Sequence, residues 1–525
     1  MNNSVKVLDC TLRDGGYINN WNFGTKEING IINNLVKSKV DIIECGFIRD
    51  VDYQTGSSVF TSMEQVEKFI QPKNPEILYA IMIEQHNYDP TLISLNAGKS
   101  VDIVRLTFRK KEWKEAKKTA IELRDKGYKV CIQPVGTATY DDKSLLNLIK
   151  DVNEINPFAF YLVDTLGTMY RHDMHKFFCL IDNNLNKDIM LGYHSHNNLQ
   201  MSFSNAQEMM RLNKQRTIIL DSSCYGMGRG VGNLATELIM DYINHNVCQR
   251  YLLSPILDIV DKYLMSIYAE QRWGYDLPYF LSATANCHPN YATYLMGKET
   301  LSIERIEKLL SLIPIDSRSE YNATLIEQLY INMQTYDIAD SDALKSLESA
   351  IGSKSVLIVG SGISIETQKK DVDNIVSKYN PYIITTNFIT DTLVADALFV
   401  SNEKRIASLN LDNINTILVT SNLQNKVENN VLLFNYSSLL GEGDASDNAG
   451  AMLIRLLKKV NVKKIFLAGF DGFEVDSSEN YYVADYKKAL DFNTVQKKNK
   501  DISKQLKSAL SGIDYEIITK TKYEI

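Results

Sequence analysis

The chain has 525 residues, more than one hydrophobic core usually holds, so two or three domains are expected. Composition is 44% hydrophobic and 23% charged, ordinary for a soluble globular protein, and the formal net charge of -7 argues against nucleic acid as a partner. No apolar run has the length of a membrane span, no signal peptide opens the sequence, and the 7 cysteines, odd in number and without a CxxC pair, read as reduced thiols in a cytoplasm.

In chain order, the first half alternates short β-branched runs with charged amphipathic stretches. The runs 5–11, 40–46, 76–83, 102–108, 129–135, 158–165, 189–196 and 217–224 read as buried parallel strands. Segments such as 26–39, 110–126, 143–154 and 204–212 read as the helices between them. Strand–helix units at roughly 30-residue spacing predict an α/β fold, a (β/α)₈ TIM barrel over residues 1–250. The rival arrangement is a doubly wound open sheet. Residues 251–344 lack strand runs and read as a helical appendage covering the barrel mouth. The acidic, small and polar stretch 337–354 reads as a linker. A second α/β pattern follows, with strands at 356–360, 382–388, 397–401, 416–421, 431–434, 464–470 and 515–519. It predicts a Rossmann-like domain over residues 355–525.

Chemistry in such a barrel sits where strands end and βα loops begin. The seventh run ends in His194-Ser195-His196-Asn197. Residues two apart on a strand share a face, so both imidazoles point the same way. Side-by-side imidazoles suit Zn, Mn, Fe or Co, and Asp14 at the mouth of strand one completes a facial two-histidine, one-carboxylate set. Arg13 is placed to neutralise a developing enolate oxygen, and a pair with Glu44 would orient its guanidinium.

Five ordered motifs carry a resemblance: Leu-Asp-Cys-Thr-Leu-Arg-Asp-Gly-Gly, Ile-Glu-Cys-Gly-Phe, Val-Asp-Thr-Leu-Gly, Gly-Tyr-His-Ser-His-Asn-Asn-Leu and Gly-Met-Gly-Arg-Gly-Val-Gly-Asn-Leu-Ala-Thr-Glu. Over residues 4–300 they resemble the DRE-TIM metallolyase, or HMG-CoA lyase-like, superfamily, and within it the 4-hydroxy-2-oxovalerate aldolases. The resemblance implies that Asp14, His194 and His196 ligate a divalent metal (Mn²⁺, Mg²⁺, Co²⁺ or Zn²⁺), with Asn233 as a further ligand or near-ligand. It implies that Arg13, held by Glu44, stabilises an enolate, and that Thr165 stands near the substrate carboxylate. Tyr17 replaces a histidine that assists proton transfer in the aldolases. Cys224 stands in the register of a reactive loop cysteine of the lyases, or is a small buried thiol ending strand eight. Similar enzymes bring groups from the appendage over the mouth, which makes His288 and Tyr291 acid–base candidates. His86 is a weaker one, and His172, His175 and His245 read as surface residues.

In the last domain Gly360-Ser361-Gly362 forms a glycine turn after a strand, able to hold phosphate on backbone N–H groups. With Asn387, Ser446-Asp447-Asn448 and Asp471 at strand ends or helix starts, it resembles the MptE-like group and related sialyltransferase-like nucleotide folds. That resemblance implies a nucleotide or nucleotide-sugar ligand near Gly360, Ser361, Gly362, Asn387, Asn448 and Asp471. The expected function is a metal-dependent aldolase or lyase acting on a pyruvate-type 2-oxo acid and an aldehyde. The domain pairing points to unusual-sugar or surface-glycan biosynthesis, and a homodimer is expected. The alternatives are a Claisen-type acyl-CoA condensing enzyme and a nucleotide-binding scaffold with a degenerate barrel.

Overall fold

A computed structural model describes residues 5–334, 337–406, 408–411, 414–427, 431–441, 448–475, 480–482, 490 and 492–525. The chain divides into two compact units, Met1–Thr293 with Pro314–Tyr321, and Tyr294–Ile313 with Asn322–Ile525. The helical stretch 251–344 is thus shared between them.

In the first unit, eight short apolar runs form strands: β1 Val5–Asp9, β2 Ile42–Ile48, β3 Leu78–Glu84, β4 Ile103–Phe108, β5 Lys129–Pro134, β6 Ala159–Asp164, β7 Met190–Ser195 and β8 Ile218–Ser222. All pairings are parallel, and β1 pairs with both β2 and β8, which closes the barrel. The strands are apolar nearly throughout because both faces are covered, one by the helices and one by the barrel interior. Helix α1, Thr25–Lys37, shows how the outer layer forms. It buries Ile28, Ile31, Ile32 and Leu35, spaced as one face of a 3.6-residue helix. Helix α2, Asp142–Ile155, starts where the Asp141 side chain accepts from the Ser144 N–H, and it buries Leu145, Leu148, Ile149 and Val152.

Inside the barrel, Leu8, Ile42, Ala80, Ile103, Cys131, Tyr161, Val163 and Ile219 fill the space. Gly192 on β7 is glycine because a Cβ there would run into the Tyr161 ring. Two differences from the sequence reading stand out. Strand one ends at Asp9, since the N–H groups of Arg13 and Asp14 both turn back to the Cys10 carbonyl at 3.0 and 2.8 Å. A two-residue strand, Val59–Phe60, extends β2; it is too short to carry a periodic signal.

The second unit holds a parallel sheet of β9 Val356–Val359, β10 Tyr382–Thr386, β11 Ala397–Val400, β12 Ile417–Thr420, β13 Val431–Phe434, β14 Lys464–Ala468 and β15 Asp514–Ile517. The spatial order is β13-β12-β11-β10-β9-β14-β15. Strand order therefore reverses between β9 and β14, a topological switch point. Among the described residues, no helix is long and apolar enough to cross a membrane.

Gly192→Ala forces a methyl into the Tyr161 ring, and about 1–3 kcal/mol of destabilisation is expected from such overpacking. Urea unfolding of the variant measures it, and addition of Tyr161→Leu should recover part of the loss.

Candidate functional site

The side chains that meet at the C-terminal end of the barrel come from distant parts of the chain. Asp14 follows β1 by a turn, His194 lies on β7, and His196 follows it by two residues. One potential ligand atom from each lies within 4.8 Å of the others. Asn233 joins them because a short antiparallel bridge pairs it with His196 and because the Asn197 N–H donates to the Gly232 carbonyl at 2.8 Å. Its amide Nδ2 donates to Asp14 Oδ2. Its Oδ1 is buried and has no hydrogen-bond partner. Gly228 lets this loop lie flat on the group, since a Cβ would strike the Asn233 amide.

Beneath these residues runs a buried chain of alternating charge. Arg13 donates from Nη1 to Asp14 Oδ1 at 2.6 Å and from Nε to Glu44 Oε2 at 2.8 Å. Glu44 Oε2 also lies 2.7 Å from Arg105 Nη1, and Arg105 Nη2 donates to Asp221 Oδ2. The same Asp221 oxygen lies 3.0 Å from His194 Nδ1. The Arg105 side chain is 0% exposed, stacks on the Tyr161 ring and, with the Gln133 amide turned, donates from Nε to the Gln133 oxygen at 3.1 Å. Burial works against the ionised form of Asp14, but Arg13 and the two imidazoles outweigh it and hold the carboxyl well below its usual range. Asp221 is lowered in the same way, against burial, by Arg105 and then His194. Arg13 keeps one donor in reserve: Nη2 is buried with no hydrogen-bond partner.

The other expected site residues are distributed as follows. Tyr17 stacks edge-on against Trp21, and burial, reinforced by Asp14, raises its hydroxyl above the usual value, so it remains protonated at neutral pH. Thr165 Oγ1 accepts from the Gly136 N–H at 2.8 Å, which ties two βα loops together. Cys224 is fully buried and donates to Asp9 Oδ2 at 3.3 Å, and burial and then Asp9 push its thiol up. Tyr291 is also fully buried, with its hydroxyl turned to the carbonyls of Ser317 and Glu320. His288 Nε2 lies 3.0 Å from Arg229 Nη2, and burial followed by Arg229 lowers its pKa to about 4. His86 faces Glu112, and His172, His175 and His245 are largely exposed.

In the second unit, Gly360 and Gly362 form the expected turn after β9. Asp471, after β14, accepts from the Ser364 N–H at 2.8 Å and from its hydroxyl, so the turn already holds a carboxylate of its own chain. The Ser361 carbonyl accepts from the Tyr482 N–H at 2.7 Å. Asn387 Oδ1 accepts from the Ser401 N–H, and Asn448 caps the helix Ala449–Lys459. Ser446 and Asp447 lie outside the described residues.

Three contributors have no role assigned by the sequence reading: Arg105, Asp221 and Arg229. For the first two there is a usable signal, a charged side chain inside an otherwise apolar barrel strand, which must be paired wherever it points inward. Arg229 sits in a glycine-rich loop, where no periodicity reports direction.

A closed parallel barrel whose loops converge a carboxylate and two imidazoles defines a TIM-barrel enzyme scaffold. Residues 4–261 match the HMGL-like family model, so the barrel is similar to the DRE-TIM metallolyases. An oxaloacetate decarboxylase from Mycobacterium tuberculosis is 25% identical over 240 residues, 45% of this chain and 68% of the relative. A 4-hydroxy-2-oxovalerate aldolase from Geobacillus genomosp. 3 is 22% identical over 272 residues, 49% of this chain and 78% of the relative. Among solved structures, the N-terminal domain of a predicted aldolase from Bacteroides vulgatus shares the fold with a TM-score of 0.51 and 23% identity, covering 58% of this chain and 99% of that one. The chain is accordingly a lyase-type enzyme.

Arg105→Met leaves buried Asp221 without a guanidinium and Glu44 with Arg13 alone. A loss of about 3–5 kcal/mol is expected in urea unfolding, and unchanged stability would contradict the pairing. A pH effect follows from His288. Unfolded, it takes a proton near pH 6.5, whereas folded it stays neutral to about pH 4. Its contribution to stability is therefore lost as pH falls from about 6.5 to 4. The stability of wild type relative to His288→Gln should decline across that window in metal-free protein, and a constant difference would refute it.

Proposed function

We propose that the barrel makes or breaks a carbon–carbon bond next to the carbonyl of a 2-oxo acid, with a divalent metal held by Asp14, His194 and His196. The observation that carries this is the reserved donor of Arg13: a buried guanidinium N–H with no protein partner, beside a group of three potential metal ligands. Asn233 Oδ1, also buried and unpartnered, fits a fourth contact. A divalent ion at this group would bind the carboxylate and keto oxygens of a 2-oxo acid and acidify the adjacent C–H. Arg13 Nη2 is the donor for the oxygen that gains negative charge as the bond breaks, and Glu44 fixes its direction. Tyr17, held protonated, serves as a proton donor. Asp221 orients His194 through Nδ1, leaving the other ring nitrogen for the metal. The 4-hydroxy-2-oxovalerate aldolase relative and the shared motifs support aldol chemistry with pyruvate as the 2-oxo acid product.

A second reading, decarboxylation of a 2-oxo diacid, is favoured by the Mycobacterium tuberculosis relative and uses the same groups. For the second unit we propose a nucleotide ligand at the switch point between β9 and β14, supported by the strand order. Because Asp471 occupies the glycine turn, a phosphate there would have to displace it.

Deuterium exchange into the pyruvate methyl group, followed by NMR with Mn²⁺, Mg²⁺ or Co²⁺, tests the main reading. Wild type should exchange, His194→Ala should not, and Arg13→Lys should be slowed about 10²–10³-fold. No exchange in metal-loaded wild type would overturn the aldolase reading, and CO₂ release from oxaloacetate without pyruvate exchange would select the decarboxylase.

A further inference from the structure

Arg229 is the cation of the glycine-rich loop that lies on Asp14 and Asn233. Gly228 on one side abuts the Asn233 amide and the Asp14 carboxylate, and Gly230 on the other abuts the Tyr279 ring. The Arg229 guanidinium stands 5.9 Å over the Tyr17 ring, with Nη2 at 3.0 Å from His288 Nε2. Two uncharged rings, Tyr17 and His288, flank it, and among the described residues it has no ion-pair partner. By contrast Arg13 is paired with Asp14 and Glu44, Arg49 with Glu84, and Arg105 with Glu44 and Asp221. Arg229 is also an exposed residue, so an incoming ligand can reach it.

A guanidinium presents a planar fork of donors that matches a carboxylate or phosphate and binds neutral acceptors much less strongly. His288 carries no negative charge to satisfy it. We propose that Arg229 binds an anionic group, carboxylate or phosphate, on the fragment that is joined to or released from the 2-oxo acid, and so selects anionic aldehydes. This rests on the aldolase reading. In cleavage, the C4 hydroxyl gives up its proton, the C3–C4 bond breaks, C4 leaves as the aldehyde, and C3 takes a proton to become the methyl group of the 2-oxo acid. The anionic group is unchanged throughout and serves only to hold the fragment.

The test compares aldehydes of matched size with the full-length Mn²⁺-loaded enzyme: glyceraldehyde 3-phosphate against glyceraldehyde, and succinic semialdehyde against butanal. Wild type is expected to favour at least one anionic member by about 10- to 100-fold in kcat/KM, the scale of a charge-assisted hydrogen bond. Arg229→Gln should bring the ratio close to one, and Arg229→Lys should keep part of it. The phosphate and carboxylate arms identify which anion is read. A role confined to positioning His288 would depress both members of a pair equally and shift the pH profile, leaving the ratio intact, and would overturn the proposal. A second readout does not need turnover: calorimetric titration of inorganic phosphate and malonate into wild type and Arg229→Gln. Arg229-dependent binding without pyruvate exchange would sink the aldolase reading and leave the anion site standing. Absence of both the preference and Arg229-dependent binding would sink the anion site.

Discussion

The C-terminal end of the barrel is organised around a line of buried charge that runs from Asp14 through Arg13, Glu44 and Arg105 to Asp221 and ends on His194. Its two ends are themselves two of the three residues that converge at the mouth. Removing a charge from water costs several kcal/mol, so each member is tolerable only while its neighbours remain in place. Asp14, on the first loop, is thereby made dependent on β2, β4 and β8. Three carboxylates face two guanidinium groups along this line, a residual charge of minus one apart from the imidazoles. In a low-dielectric interior that imbalance favours a cation at the mouth, where Asp14 and the histidines stand.

The same line explains why the site can be stiff while its walls are loops. Asp14 lies beyond the end of β1, and Asn233 lies in a glycine-rich turn, both positions that would ordinarily be mobile. Asp14 is clamped from below by Arg13 and from the side by the Asn233 amide. Asn233 in turn is fixed by its bridge to His196. Preorganisation of this kind would spare a cation bound there the cost of ordering its ligands.

Much of the fold could be read from residues alone. A buried parallel strand needs both faces apolar, so eight runs such as Ile-Val-Arg-Leu-Thr-Phe announce themselves, and the helices between them follow from stripes like Ile28, Ile31, Ile32 and Leu35. His194 and His196 were legible for the same reason, because a period of two dictates a common face. Strand ends were less legible. The turn at Cys10 that stops β1 two residues early depends on backbone hydrogen bonds, which apolarity does not encode. Cys224 and Tyr291 show the opposite limit. Residue type made both chemically plausible, but one is bonded to Asp9 and the other to two backbone carbonyls, partners hundreds or tens of residues away.

By itself, then, the sequence determined the class of fold, the shared face of the two histidines, and the family resemblance through its ordered motifs, since each is written in local periodicity or in contiguous residues. Tertiary structure alone decided which charge compensates which. Arg105 and Asp221 are 116 positions apart, and Asn233 stands 219 positions from the carboxylate it touches. Closing the barrel places such residues side by side, and no local pattern can report it, because the energy of a buried charge is set by whatever partner the fold brings within a few ångströms. The same holds for Arg229, whose residue type announces only a positive charge. Its setting beside Tyr17 and His288 exists only once the loop after β8 has packed against the segment that carries His288.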